Sequence, residues 1–239
     1  MATVVGSPTP VRSNLSPADD GRRVLALALG LAAIFHGGLL FAGSWRGTYD
    51  AWVHIFFADH YQRSWFSLFE PRWYTGFSVA SYPPAAHQAV AAVGFLTGLE
   101  GGFVVVFLGS VLLLVGGVYR FSTLWVGKRS AAFAALGFGL STVLSQTVHV
   151  FGQLPTILAL ALLLHSSVPV VGWLRTGDTR AFGQAVLLIG ATAAVHHVTI
   201  IFGAVFFLGA LGLLVLSEAA PGSGERRSLL TVLGRGALL

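Results

Sequence analysis

Apolar runs long enough to cross a bilayer alternate with short polar segments along most of this chain. Residues 24–42 hold 19 positions without a charge, and His36 is their one strongly polar group. That is the length an α-helix needs to cross a hydrocarbon core ~30 Å thick. Residues 43–84 then break the pattern with Trp, Tyr, Arg, Asp and Glu, the only long polar segment between apolar runs. Within it, residues 51–62 read as a short amphipathic helix whose Trp and Phe side chains sit at headgroup depth. Residues 85–99 are apolar but only 15 long, the length of a short span or an embedded half-helix. Further apolar runs follow at 103–118, 131–150 and 155–171. Residues 182–216 count 35, on the order of 52 Å as one helix, so they read as two spans hinged at "HHVT", residues 196–199.

This pattern predicts an all-α polytopic membrane protein with about six to seven spans. Residues 1–23, rich in Pro, Ser and Asp, read as a disordered tail before the first span. That span is too long for a signal-peptide core and lacks a cleavage site, so it is expected to stay in the chain. Arg22 and Arg23 place the N-terminus in the cytoplasm, and the loops carrying Arg120, Lys128, Arg129, Arg175 and Arg180 belong on that same side. The loop 43–84, the "GQLP" turn at 152–155 and "HHVT" then share the opposite face. This topology requires that residues 85–99 do not cross completely. Residues 218–239 read as a cytoplasmic loop and the start of a further span, as expected of an N-terminal piece of a longer membrane protein.

Composition supports the bilayer. Charged residues make up 10% of the chain against about 25% in soluble domains. With no cysteine, neither a disulfide framework nor a thiolate metal site is available. The net charge of +5 is spread as short clusters between apolar runs, the distribution topology demands, so no nucleic-acid partner is expected.

The candidate chemistry lies where the polar groups meet one face. Asp50 and His54, in "TYDAWVH", are spaced i, i+4 and so share one side of a helix. An acid there serves as a general base, or with His54 as a ligand for a divalent metal; it also suits the N-cap of an interfacial helix. Asp59 and His60 read as a solvated edge. Arg72, in "EPRW", suits a phosphate, or a structural ion pair with Glu70. Gln153 is an amide that a plain tight turn does not require. His196 and His197 are hard to place as packing inside an apolar run, whereas His36 and His165 read as satisfied interior or interface histidines. Asp50, His54, His196 and His197 fall on one membrane face under a topology chosen from Arg and Lys alone.

A first span followed by an external loop with an acid near its start, then "PRW…G…YPP", "GQLP" and "HHVT", resembles the membrane glycosyltransferases of the GT-C fold. The pattern over residues 24–217 is most similar to the family called the 6-pyruvoyl-tetrahydropterin synthase-related membrane domain, an oligosaccharyltransferase-like group. The resemblance implies a GT-C-like helical bundle that moves a sugar from a polyprenyl-phosphate carrier to an acceptor on the extracytoplasmic face of the plasma membrane. It implies Asp50 and His54 as catalytic groups, and Arg72, Tyr82, Gln153, His196 and His197 as substrate-binding groups. Gln153 stands where oligosaccharyltransferases carry a second acid. A metal site of Asp50, His54, His196 and His197 would then be rich in nitrogen, suiting Mn or Zn better than Mg. The rival expectation is a non-catalytic scaffold or transporter component of envelope assembly, although no internal repeat of the kind transporters show is present.

Overall fold

The computed structural model describes residues 17–79, 82–218 and 228–239. The chain is all-α, with helices α1 (Pro17–Phe41), α2 (Ala51–Arg63), α3 (Ala85–Ser122), α4 (Lys128–Gly139), α5 (Thr142–Gln146), α6 (Leu154–Thr176), α7 (Thr179–Val195), α8 (His197–Phe202), α9 (Gly209–Ser217) and α10 (Leu229–Gly236). Two π-helical stretches interrupt the series, at Thr147–Phe151 and Gly203–Leu208. One two-stranded antiparallel ribbon pairs β1 (Phe69–Glu70) with β2 (Phe77–Ser78). Among the described residues four helical segments are long and apolar enough to cross a membrane, and five if the bent pair Lys128–Gly139 with Thr142–Phe151 is one span. Helix α7, also apolar, is shorter.

Several boundaries follow from local chemistry. Helix α1 starts at Pro17, so residues 17–23, expected in the polar tail, are its first turns; residues 1–16 lie outside the described residues. It stops at Gly43, whose φ of 89° is a left-handed conformation that glycine adopts without strain. The expected single run 131–150 breaks after Gly139, and Ser141 caps the new helix by accepting a hydrogen bond from the Leu144 amide. The 182–216 run breaks at His196, which is extended (φ −161°, ψ 99°) between α7 and α8. Asp178 caps α7 by accepting from the amides of Arg180 and Ala181. Of the expected terminal loop, residues 219–227 lie outside the described residues, and α10 forms the apolar helix after it.

Helix α3 decides the arrangement. As one rod its 38 residues would reach about 57 Å, nearly twice a hydrocarbon core. It is instead a hairpin. Gly98 has φ 75° and ψ 161°, outside helical space, and the chain folds back on itself there. A Cβ placed on Gly102 would lie 2.6 Å from the Val90 carbonyl oxygen and 2.8 Å from the Gly94 nitrogen. Twelve residues along a straight helix would separate those groups by roughly 18 Å. Gly94 and Gly102 therefore form a backbone-to-backbone contact that only a residue without a side chain permits. The Arg46–Glu100 ion pair, 2.8 Å long, fixes the tip of the hairpin beside the C-terminal end of α1. Residues 85–97 thus do not cross to the other end of the bundle.

From that tip the second arm of α3 runs the length of the bundle. Phe103 packs against Trp45 near the end of α1, Gly139 meets Val115 and Ala32 lower down, and Gly117 lies against Ala161 and Leu164 of α6. One core of mostly small and branched residues joins α1, α2, α3 and α6, including Ala32, Ala58, Phe107, Val111 and Leu154. Gln62 of α2 donates to the Ala91 carbonyl and ties α2 to the short arm of the hairpin.

The contact at Gly102 gives a direct test. Gly102→Ala should destabilise the chain by about 1–3 kcal/mol through overpacking, whereas Gly109→Ala, whose Cβ meets nothing within 4 Å, should leave stability unchanged. Thermal unfolding of both variants in detergent micelles measures the difference. Equal unfolding temperatures would contradict the hairpin.

Candidate functional site

The site grows from two segments that bind each other through their backbones. The amide of Tyr49 donates to the Val150 carbonyl at 3.2 Å and that of Asp50 to the Phe151 carbonyl at 3.1 Å. Gly152, with φ 72°, turns the chain over this contact, and a Cβ there would lie 2.4 Å from the Thr48 hydroxyl oxygen. The π-helical turn Thr147–Phe151 supplies the two accepting carbonyls by displacing the ladder by one residue. The "TYD" and "GQLP" segments, about a hundred residues apart in sequence, are thereby clamped together.

Asp50 occupies the N-cap of α2, but its carboxylate makes no cap hydrogen bond to the helix amides. It lies instead on a cavity of about 290 Å³, which Asp50, His54, Tyr82, Gln153, Pro155, Thr156 and His196 line. Burial raises the Asp50 pKa above its ordinary value. Burial also raises that of the Tyr82 phenol, and the charge of Asp50 adds to the effect. His54 follows Asp50 by one helical turn and is 1% exposed. Burial, with His87 and His196 beside it, holds its pKa well below the usual histidine value, so the ring is neutral at physiological pH. His196, on the break between α7 and α8, is bonded through Nδ1 to the Thr199 hydroxyl at 2.8 Å. Its pKa is lowered by burial and by His197. The first turn of α6, with Pro155 and Thr156, closes the remaining side and presents the positive end of a 23-residue helix to the cavity.

Five expected site residues, Asp50, His54, Tyr82, Gln153 and His196, are therefore brought together, and two are not. His197 is exposed beyond His196, at 6.2 Å between ring centres. Arg72 lies in a separate ion cluster. Its Nε and Nη2 donate to Glu70 at 3.0 and 3.1 Å, its amide donates to Glu70 at 2.7 Å, and Nη2 also reaches Asp59 at 2.7 Å. With the guanidinium engaged by two carboxylates, the structural ion pair accounts for Arg72. Glu70 is 0% exposed and also accepts from Arg63 and His60, which makes it the hub that pins the β1–β2 ribbon to α2. His60 is part of that hub and not a solvated edge.

The expected metal site is not assembled. Among the described residues no three His, Asp or Glu side chains are placed to hold a metal ion. His197 is exposed and does not line the cavity that Asp50, His54 and His196 share.

Sequence reasoning missed His87, Thr156 and His149. His87 is 1% exposed on the short arm of α3, and its Nε2 lies 3.1 Å from Nδ1 of His54. Nothing in "AAHQAV" signals this; the pairing exists only once the hairpin has formed. His149 stacks on His36 at 5.2 Å, with His36 Nδ1 and His149 Nε2 3.0 Å apart. His36 also bonds the Gly139 carbonyl, and Ser44 bonds the other nitrogen of His149, so His36 is a satisfied interior histidine. No protein-family model matches the chain, and no match is found among curated proteins or solved structures.

The Glu70 hub sets a pH dependence of stability. Hydrogen bonds from Arg72, opposed by burial, bring its pKa from 4.5 down to about 2. A lowered carboxylate pKa stabilises the fold above the unfolded value and loses that contribution as pH falls from about 4.5 towards 2. Glu70→Gln should destabilise at neutral pH by on the order of 3 kcal/mol, as breaking a buried pair does. The gap to the parent chain should close below pH 4.5. Unfolding temperatures of both chains across pH check this.

Proposed function

We propose that this chain forms the acceptor-activating site of a GT-C-like membrane glycosyltransferase that takes a sugar from a polyprenyl-phosphate carrier on the extracytoplasmic face of the plasma membrane. The observation that carries the reading is the convergence of Asp50, His54, Tyr82, Gln153 and His196 from separate segments onto one cavity. With α7 counted as a crossing and α3 as a hairpin with one crossing arm, the helices make six crossings. The cavity then lies at the face opposite the Arg and Lys loops.

In this reaction the carboxylate of Asp50 takes the proton of the acceptor's hydroxyl or amide. The freed lone pair attacks the anomeric carbon, and the bond from that carbon to the phosphate oxygen breaks. The polyprenyl phosphate leaves with that electron pair. Negative charge grows on its oxygen, opposite the N-terminal turn of α6 and the side chains of Gln153, Thr156 and His196. The raised pKa of Asp50 makes it a stronger base than an exposed aspartate. Arg72, already paired, takes no part.

Asp50→Asn in the full chain should lower transfer from a radiolabelled polyprenyl-phosphate sugar by roughly 10²–10⁴-fold without lowering the unfolding temperature. The parent's acid limb should sit above the ordinary aspartate value of about 3.9. Undiminished transfer by the variant, measured in proteoliposomes, would contradict the assignment.

A further inference from the structure

The His54–His87 pair has a direction that the hydrogen bonds themselves dictate. The His87 ring bonds the carbonyl of Pro83 as well as Nδ1 of His54. A carbonyl oxygen only accepts, so His87 must donate to it. Its Nε2 faces His54, and among the buried side-chain nitrogens of the described residues only His54 Nε2 lacks a partner, so the donating nitrogen is His87 Nδ1. A neutral imidazole carries one proton, which leaves a lone pair on His87 Nε2. His54 must then donate from Nδ1 across the 3.1 Å contact. Its own Nε2 is left as a bare acceptor.

That acceptor lies on the ring edge away from His87, in a residue that lines the cavity with Asp50, Tyr82 and His196. Leaving a buried acceptor unmatched costs about as much as a lost hydrogen bond, so its persistence at a cavity wall marks a place where a ligand supplies the donor. Cations are poor candidates, because no group of His, Asp or Glu among the described residues is placed to hold one. An anionic oxygen has no proton to give. The remaining chemistry is a neutral O–H or N–H. Tyr82 and Phe57 pack beside the pair, with Tyr82 5.3 Å from each of Phe57 and His87 between ring centres. They pack against the His87 ring.

We propose that His54 Nε2 is the specificity-determining acceptor for one sugar hydroxyl, and that His87 is the positioning residue that locks it in the Nδ1–H tautomer. This rests on the glycosyl-transfer reading for the word sugar, and on hydrogen-bond direction for the rest. It divides the labour in the cavity: Asp50 receives the proton of the attacking group, and His54 reads a hydroxyl that does not react. A site that offers a fixed acceptor rejects a ligand lacking the matching hydroxyl far more strongly than an apolar wall rejects a missing methylene.

The test uses the full chain in nanodiscs with ¹⁵N-labelled histidine. His54→Gln removes one pair of ring resonances and so assigns them. In the ligand-free parent at neutral pH, His54 should show a protonated Nδ1 and an unprotonated Nε2. His87→Asn, whose carbonyl oxygen still accepts, should keep that tautomer, and His87→Leu should lose it. Methyl pyranosides added as probes should move the Nε2 resonance, and the deoxy analogue lacking the recognised hydroxyl should not. A His54 protonated at Nε2 in the parent overturns the proposal, and so does an Nε2 resonance that no pyranoside moves. A moved resonance in a chain that fails to transfer sugar would refute the transferase reading and leave the recognition standing.

Discussion

Two backbone hydrogen bonds, from the amides of Tyr49 and Asp50 to the carbonyls of Val150 and Phe151, hold the rest of the site in place. They join the loop after α1 to the turn before α6, and the left-handed Gly152 lets the two strands of chain approach without a side chain between them. Asp50 donates its amide to this clamp, and its carboxylate makes no cap hydrogen bond at the head of α2. Because Gln153 and Pro155 follow directly, the N-terminal turn of α6 is delivered to the same cavity. A π-helical turn before the clamp is the local departure from regular helix that aligns the two carbonyls.

The second constraint is the α3 hairpin. A chain reversal at Gly98 keeps the short arm on the cavity side of the bundle, and its first turn carries His87 to His54. The Gly94–Gly102 contact and the Arg46–Glu100 ion pair both act on this reversal, one by permitting close approach and the other by fixing the tip. On the far side of α2, Glu70 gathers His60, Arg63 and Arg72. Its buried charge anchors the ribbon that leads into Tyr82, so an ion cluster with no reacting atoms still bears on the cavity's shape.

How much of this the sequence disclosed depends on whether a feature is local. The hinge at "HHVT" was legible because 35 apolar residues exceed a bilayer, and the break falls at His196. Length left 85–99 open between a short span and a half-helix; the topology drawn from the basic loops required that it not cross completely, and the chain reversal at Gly98 agrees with that topology. Asp50 and His54 were legible as an i, i+4 pair. His87 was not, since a lone histidine in an apolar run has no periodic or motif signature and gains its partner only by tertiary folding. Arg72 suited a phosphate as well as an ion pair on sequence grounds; the reach of Glu70 and Asp59 around it is a property of the folded ribbon. The four-residue metal set failed for a related reason. Sequence placed the groups on one face, but His197 lies outside the cavity that the other three line.

A clamp between residues 49–50 and 150–151 is therefore what turns scattered polar positions into one cavity. The absence of cysteine from the chain makes it directly measurable. The Asp50 amide bonds the Phe151 carbonyl at 3.1 Å, which brings the backbones of residues 49 and 151 together, so the double variant Tyr49→Cys, Phe151→Cys should form a disulfide in native membranes under mild oxidant. The pair Ala32→Cys, Gly139→Cys, whose Cβ positions lie 3.6 Å apart, serves as the positive control. Cross-linking of both pairs is the expected result. A control pair that cross-links while the 49–151 pair stays reduced would contradict the clamp, and with it the cavity that depends on it.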